Sequence, residues 1–181
     1  MIRKLIIVMS LSLALFSCAK HPPMPTVDRV ELERFMGDWY VIANIPTFIE
    51  EDAHNAVETY RMGEDGVIET TFRFRDGGFD GPIKTYRPKG FIKDSETNAL
   101  WGMQFIWPIK ADYRIVYIDG DYQNTVIARQ ARDYVWLMSR SPEIDDELYM
   151  RLSGLIQRLG YDVSKLQKVP QQWPESDEED S

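Results

Sequence analysis

Few of the side chains that usually carry chemistry are present in this chain of 181 residues. Cys18 is its only cysteine, so an intramolecular disulfide is excluded. His21 and His54 are its only histidines, and no Cys or His residues have the spacing of metal ligands. The sequence also lacks the Gly-x-Ser-x-Gly turn that presents a serine nucleophile. These residues allow modification of one thiol, and they predict no metal, no cofactor and no catalytic site.

The single cysteine follows a segment that is typical of a secretion signal. Two basic residues precede an apolar run, Leu5 to Phe16, that is too short to span a bilayer as a helix. The run ends in Leu15-Phe16-Ser17-Cys18, which resembles a bacterial lipobox. In that motif the thiol receives a diacylglycerol and the freed amine is acylated, for example with palmitate, so that several chains anchor the protein. We predict a lipoprotein signal peptide at residues 1–17 and an acylated Cys18. An ordinary signal peptide with an incidental cysteine is the alternative.

The residues after the cysteine suggest where the protein is sorted. Ala19 stands where inner-membrane lipoproteins usually carry Asp, so resemblance to Gram-negative lipoproteins implies the outer membrane, with the protein facing the periplasm. Three prolines follow within residues 20–26, and we predict that residues 18–29 are the acylated cysteine and an extended tether.

Charge is concentrated at the other end of the chain. Five carboxylates lie within residues 175–180 and repel one another, so residues 171–181 are predicted to be an acidic disordered tail. A charge-dependent partner contact is the alternative. The formal net charge of -8 argues against binding to nucleic acid, which requires a basic surface.

The middle of the chain has the periodicity of β-strands. Between residues 67 and 75, apolar residues or threonine alternate with charged residues or threonine, as in a strand with one buried side. Eight such segments are predicted, one with Trp39 and seven at 56–62, 67–75, 84–93, 99–107, 112–118, 125–129 and 134–140. Tight turns join them and no helix alternates with them. The pattern favours an all-β antiparallel up-and-down barrel or a sandwich and excludes an α/β fold.

One amphipathic helix is predicted after the strands. Its leucines and an isoleucine form a single stripe from Leu148 to Leu159, Asp145 can cap its start and Gly160 can end it. The opposite face carries Asp146, Glu147 and Gln157, with only Arg151 and Arg158 as basic residues. We therefore expect the stripe to pack on the outside of the sheet, and binding of the stripe to a membrane surface is the alternative.

Three motifs, in order and at barrel spacing, resemble those of the lipocalins. Gly37-Asp38-Trp39 matches the Gly-x-Trp motif, Asp119 and Tyr122 stand where a Thr-Asp-Tyr motif joins two strands, and Arg140 ends the last strand. The third motif resembles that of the bacterial lipocalin and apolipoprotein D branch. The resemblance covers residues 30–170 and implies an eight-stranded antiparallel up-and-down lipocalin barrel with one C-terminal helix outside.

The resemblance also assigns structural roles to the motif residues. Gly37 lets the chain turn into the barrel, and Trp39 plugs the closed end. Arg140 is expected to lie across the indole and to donate hydrogen bonds to carbonyls of the entering segment. Asp119 and Tyr122 are likewise expected to have a structural role and not to bind the ligand.

Alternation determines which side chains face the cup. If Arg140 points into the closed end, then Trp136 and Tyr134 also point inward. The resemblance adds Tyr60 and Tyr113. The predicted ligand-binding residues are Tyr60, Phe72, Phe74, Tyr86, Met103, Phe105, Tyr113, Tyr117 and Trp136. A barrel filled by these same side chains is the alternative. Phe48 and Ile49, in the mouth loop, are apolar, and three roles stay open for them: a lid, a lipid contact or local packing.

The function that the resemblance implies is binding and carriage, not catalysis. The expected ligand is a fatty acid or a lysophospholipid, and the expected role is storage, transport or maintenance of envelope lipids. One alternative is a filled-barrel interaction module. A second is a lipid-modifying enzyme, for which His54 and Glu58 are the available side chains. The sequence does not determine the oligomeric state, and a homodimer is compatible with it.

Overall fold

A computed structural model describes residues 21–175, so the predictions for the signal peptide, for acylation of Cys18 and for the last six residues lie outside it. This part of the chain forms two α-helices, α1 (Leu32–Phe35) and α2 (Asp146–Arg158). Its strands are β1 (Gly37–Ile45), β2 (Ala53–Met62), β3 (Val67–Asp76), β4 (Ile83–Tyr86), β5 (Lys89–Ile92), β6 (Leu100–Ile106), β7 (Ile109–Ile118), β8 (Asn124–Ala128), β9 (Val135–Ser139) and β10 (Gln167–Lys168).

The strands form a closed antiparallel barrel with eight positions. Neighbouring strands pair in the order β1-β2-β3-β5-β6-β7-β8-β9, and β9 pairs with β1 to close the ring. β4 and β5 both pair with β3 and share one position. The sequence predicts a single strand there, but it is interrupted at Arg87 and Pro88, because proline has no N–H to donate to a ladder. The predicted eight-stranded barrel is confirmed.

The two ends of the barrel are built differently. At the closed end, residues 31–36 cross the opening, beside the turns at 63–66, 93–99 and 119–123. At the open end, the connections are the loops at 46–52, 77–82 and 129–134 and the tight β6–β7 hairpin. The short β10 pairs with the open-end half of β1 on the outside.

The C-terminal helix packs where its apolar stripe predicts. Asp145 caps α2 by accepting a hydrogen bond from Leu148 N at 2.7 Å, and Gly160 follows with φ +95°. Leu152 and Ile156 are buried against the outward-facing Leu137 of β9 and its neighbours. The helix and the barrel thus share an outer core that is separate from the barrel interior.

One prediction of alternation is wrong in β7. The register of the β7–β8 ladder shifts between Ile115 and Tyr117, so that Ile118 packs with the interior core and Tyr117 with the outer core. A bulge of this kind places one extra residue in a strand and reverses the faces beyond it. Tyr117 therefore does not face the cup.

The predicted disordered tail is also wrong for residues 171–175. Arg73 donates to both carboxylate oxygens of Glu175, at 2.8 and 2.6 Å. Gln172 exchanges two hydrogen bonds with Asn55, and the ring of Trp173 lies 5.2 Å from that of Tyr40. Repulsion among the carboxylates suggested disorder, but basic residues of β3 neutralise the first of them.

Candidate functional site

The closed end is held by Trp39 and Arg140. The Arg140 guanidinium lies 3.8 Å from the centroid of the buried indole. It donates to the carbonyls of Arg34, Phe35, Met36 and Asp38 at 2.7–3.1 Å. Gly37 has φ +97°, and a Cβ there would lie only 3.2 Å from Arg140 Nη1. This arrangement is the one that the motifs imply, and it closes the barrel.

Asp119 and Tyr122 complete the closed end. Asp119 accepts hydrogen bonds from the backbone of Gln123 at 2.7 Å and from the side chain of Asn124 at 2.7 Å. Tyr122, with φ 59°, accepts a hydrogen bond from Glu31 N at its hydroxyl, at 2.9 Å. The turn thereby ties the entering segment to the barrel, and neither residue reaches the interior cavity.

Above this closure, aromatic rings fill the lower half of the barrel. Phe35 contacts Trp39, Tyr60 and Trp101, with ring centroids 5.2–5.5 Å apart. All four side chains are fully buried. Trp101 also stacks on Tyr113 at 5.3 Å. This aromatic layer leaves only the upper half of the barrel for a ligand.

The upper half contains a cavity of about 390 Å³, which lies within the size range of small-molecule sites. Its wall is mostly apolar. Six of the nine predicted ligand-binding residues line it: Phe72, Tyr86, Met103, Phe105, Tyr113 and Trp136.

The other three predicted residues are elsewhere. Tyr60 belongs to the aromatic layer, and its hydroxyl lies 2.6 Å from that of Tyr113. Phe74 is fully buried, with ring centroids 5.1 Å from Phe72 and 6.2 Å from Tyr86. Tyr117 is outside, as the bulge requires. Alternation along the strands correctly predicted that Tyr60 and Phe74 point into the barrel. It does not predict how deep in the barrel a side chain lies or whether other side chains cover it.

Two buried carboxyl groups line the cavity and were absent from the predicted ligand-binding residues. Glu50, in the β1–β2 loop, accepts hydrogen bonds from Trp136 Nε1 at 3.2 Å and from the backbone and hydroxyl of Thr47 at 3.0 Å. Burial raises the pKa of Glu50, and these donors oppose that rise. Glu50 lies in a loop, where no alternation of apolar and polar residues could have predicted that its side chain is buried.

Glu58 is the second of these groups. It lies on β2 between Trp39 of β1 and Phe72 of β3, and it is 9% exposed. Burial, and to a lesser extent the charge of Glu50, raise the pKa of Glu58 to about 8. The carboxyl is therefore mostly protonated at neutral pH. The alternating pattern of β2 predicted a buried carboxyl at Glu58 on the inward face of Tyr60, although it was considered only for the enzyme alternative.

Basic side chains lie on the outer part of the same wall. Arg87 is exposed at the break between β4 and β5, and Arg129 follows β8 at the open end. Arg129 is 3.4 Å from Asp133, and Asp112 is 2.9 Å from Arg114. Near the mouth Arg87 is thus exposed and Arg129 is paired with Asp133, whereas Glu58 is at the inner end.

The mouth also carries exposed apolar side chains. Phe48 in the β1–β2 loop is 84% exposed, and Trp107 at the tip of the β6–β7 hairpin is 83% exposed. Ile106 and Ile109 flank that tryptophan and are also exposed. We call Phe48, Ile106, Trp107 and Ile109 the apolar rim. An exposed cluster of large apolar side chains is typical of a surface that binds a membrane or another protein.

The geometry of the site gives little support to catalysis or to metal binding. His54 bonds through Nδ1 to Asp52 O at 3.0 Å, its ring contacts Phe79, and it does not line the cavity. Within residues 21–175, no three Cys, His, Asp or Glu side chains are grouped as metal ligands would be. None of the helices in that range combines the length and apolar composition needed to cross a membrane.

Comparisons with known proteins agree with this architecture. The family model described as a lipocalin-like domain matches residues 30–171, and the chain belongs to the lipocalin family. It is 35% identical over 156 residues to temperature-induced lipocalin-1 of Arabidopsis thaliana, covering 82% of this chain and 83% of that protein. It is 26% identical over 161 residues to the outer membrane lipoprotein Blc of Escherichia coli K12, covering 86% and 89%.

Solved structures show the same fold. Insecticyanin from the tobacco hornworm Manduca sexta aligns with a TM-score of 0.64 at 13% identity, over 82% of this chain and 84% of that one. The predicted resemblance to bacterial lipocalins, with a C-terminal helix outside the barrel, is confirmed.

Proposed function

We propose that the protein binds and carries a small hydrophobic ligand, a fatty acid or a lysophospholipid, for storage, transport or maintenance of envelope lipids. The observation that carries this proposal is the apolar cavity above the aromatic layer. Each buried methylene contributes about 0.8 kcal/mol, so one acyl chain can offset the cost of association. Arg87 and Arg129 suit a carboxylate or phosphate near the mouth.

The cavity also weighs against the two alternatives. A filled-barrel interaction module needs side chains in the upper half, where the structure has about 390 Å³ of open volume. A lipid-modifying enzyme would need a group to act with Glu58. His54, the histidine considered for that role, is outside the cavity wall. We therefore favour binding without catalysis.

We further propose that the cup opens toward the membrane that holds an acylated Cys18. The N-terminal segment runs along the barrel from closed end to open end: Val30 N bonds to Thr97 O, Val27 N to Ile115 O and Met24 N to the side chain of Gln130. Gln130 also donates to Pro22 O at 3.1 Å. Cys18 is three residues before His21, whose carbonyl accepts a hydrogen bond from Gln130, and a fully extended chain of three residues spans about 11 Å.

The apolar rim supports the same orientation. Its tryptophan and isoleucines suit the interface of a bilayer, where tryptophan is enriched. Outer-membrane location, with the protein facing the periplasm, rests on Ala19 and on similarity to Blc lipoproteins. In this arrangement a ligand passes between membrane and cup without crossing water.

The test of binding uses residues 18–181, with Cys18→Ser, purified and extracted for lipid mass spectrometry. We expect a co-purifying fatty acid or lysophospholipid, or micromolar binding of added lipids after delipidation. Trp136→Ala should weaken this binding at least tenfold, because the indole lines the cavity and holds Glu50. Met150→Ala, on the exposed side of α2, is the matched control. A folded protein that binds neither lipid class would refute the proposal.

A further inference from the structure

The inner end of the cavity carries a carboxyl group that has no hydrogen-bond partner in the described part of the chain. Glu58 is the innermost wall residue of β2, since Tyr60, the next inward side chain, belongs to the aromatic layer. Its side chain is nine-tenths buried and faces the cavity. Among residues 21–175 no group donates to it or accepts from it. Glu50, by contrast, is held by Trp136 and Thr47.

Two hydroxyl groups share this inner end. Tyr113 and Tyr60 form one hydrogen bond of 2.6 Å between their hydroxyls, which uses only one of their two hydrogens. Thr70, on β3, has only a contact of 3.9 Å with the sulfur of Met103. Tyr113 and Thr70 both line the cavity with Glu58. The inner end is thus a polar cluster, made of Glu58, Tyr113 and Thr70, below an otherwise apolar wall.

A plain alkyl chain fits this geometry poorly. Its terminal methyl would displace water from Glu58 and replace none of the hydrogen bonds, which is unfavourable for any buried polar group. An anionic head at the inner end would meet the acid Glu58, whose cavity wall also carries Glu50. A neutral hydroxyl can accept a hydrogen bond from one member of the polar cluster and donate one to another.

We propose that the cavity selects acyl chains that carry a hydroxyl group at their buried end, and that Glu58 determines this selectivity. This inference rests on the proposed function, binding of an acyl ligand. The anionic head of such a ligand lies near Arg87 and Arg129, and its hydroxyl reaches the polar cluster. Glu58 is a specificity residue here and takes part in no reaction.

The charge state of Glu58 should make ligand affinity depend on pH. The titratable or charged groups that share its cavity are Glu50, Tyr86, Arg87, Asp112, Tyr113, Arg129 and Tyr134. Burial raises the pKa of Glu58 to about 8, and the charge of Glu50 contributes in the same direction. A plain chain must cover a neutral carboxyl, so its affinity falls as pH rises above about 8. The hydroxyl of a hydroxylated chain can donate to the ionised carboxylate, so the affinity for that chain falls less over the same pH range than the affinity for a plain chain.

The experiment compares matched ligands by isothermal titration calorimetry with residues 18–181 carrying Cys18→Ser. The first pair is dodecanoate and 12-hydroxydodecanoate, and shorter and longer pairs locate the length that reaches the inner end. At pH 6.5 we expect the hydroxy acid to bind about tenfold more tightly, at one length or more. The ratio should be larger at pH 9.

Variants separate selectivity from binding. Glu58→Leu should abolish or reverse the preference for the hydroxy acid, because the inner end becomes apolar. Glu58→Gln should keep the preference at pH 6.5 and lose its pH dependence. Glu51→Gln, in the neighbouring loop and exposed, should behave as the wild type.

The outcomes distinguish the two proposals. Equal affinity for both acids at every chain length, or a ratio unchanged by Glu58→Leu in a folded protein, would overturn the selectivity and leave the carrier function standing. If neither acid binds any folded variant, the proposed fatty-acid function fails and the selectivity fails with it.

Discussion

The closed and open halves of the barrel use the same kinds of side chain for opposite purposes. At the closed end, Arg140 satisfies four carbonyls and stacks on Trp39, and the rings above are fully buried. In the open half, Glu58 at the inner end of the cavity lacks a partner in the described part of the chain, and Trp107 at the mouth is exposed. The first half is arranged for stability, and the second retains unsatisfied groups that a ligand or a membrane can satisfy.

The largest effect should come from the closed end. Trp39→Ala removes a fully buried indole and the surface on which Arg140 stacks, so the free energy of unfolding should fall by about 3–5 kcal/mol. Urea denaturation at pH 7 measures this change. Phe105→Ala at the mouth, where the side chain is 50% exposed, should cost less than about 1 kcal/mol. Similar losses for both variants would remove the distinction between the two halves.

A second effect should appear at the inner end of the cavity. The pKa of Glu58 is raised to about 8 in the folded protein, so the folded state holds a proton that the unfolded state releases above its own pKa, near 4.3. Stability should therefore fall as pH rises from 5 to 8, by about 3 kcal/mol from this group. Glu58→Gln should remove that loss.

Urea denaturation at several pH values, wild type beside Glu58→Gln, tests this sign. If the two proteins respond to pH in the same way, Glu58 is not held neutral in the fold. Delipidated protein is required, because a bound ligand stabilises the folded state independently.

The smallest predicted effect concerns the apolar rim. Trp107→Ser should reduce binding of residues 18–181 with Cys18→Ser to phosphatidylethanolamine–phosphatidylglycerol vesicles by about tenfold, because the indole is lost from the interface. Met150→Ser removes an apolar side chain of similar exposure, 66%, from α2. Equal vesicle binding by both variants would contradict a membrane-facing mouth.

Residues whose roles depend on local pattern could be predicted from the sequence. Gly37, Trp39 and Arg140 occur in motifs, and alternation along β9 correctly placed Trp136 inward and Leu137 against α2. Tyr117 could not be placed, because a bulge leaves no mark in the alternation of β7.

Contacts between distant parts of the chain were not predictable. Glu175 is 102 residues from Arg73, so the carboxylate run suggested disorder where a bidentate ion pair forms. Tyr60 and Phe74 face inward as alternation requires, but their depth depends on how the rings of α1 and β6 fill the barrel. Glu50 belongs to a loop, whose course has no periodicity to read.

The central claim is that the upper half of the barrel is a ligand site and the lower half is not. The most direct measurement is fatty-acid affinity, by calorimetry, for a variant that fills the cavity. Ala111→Trp places an indole on the cavity wall, and Ile109→Trp places the same side chain on the exposed rim. We predict that Ala111→Trp abolishes binding while the urea midpoint stays near that of Ile109→Trp, which binds normally. Unchanged affinity in a folded Ala111→Trp protein would contradict the account.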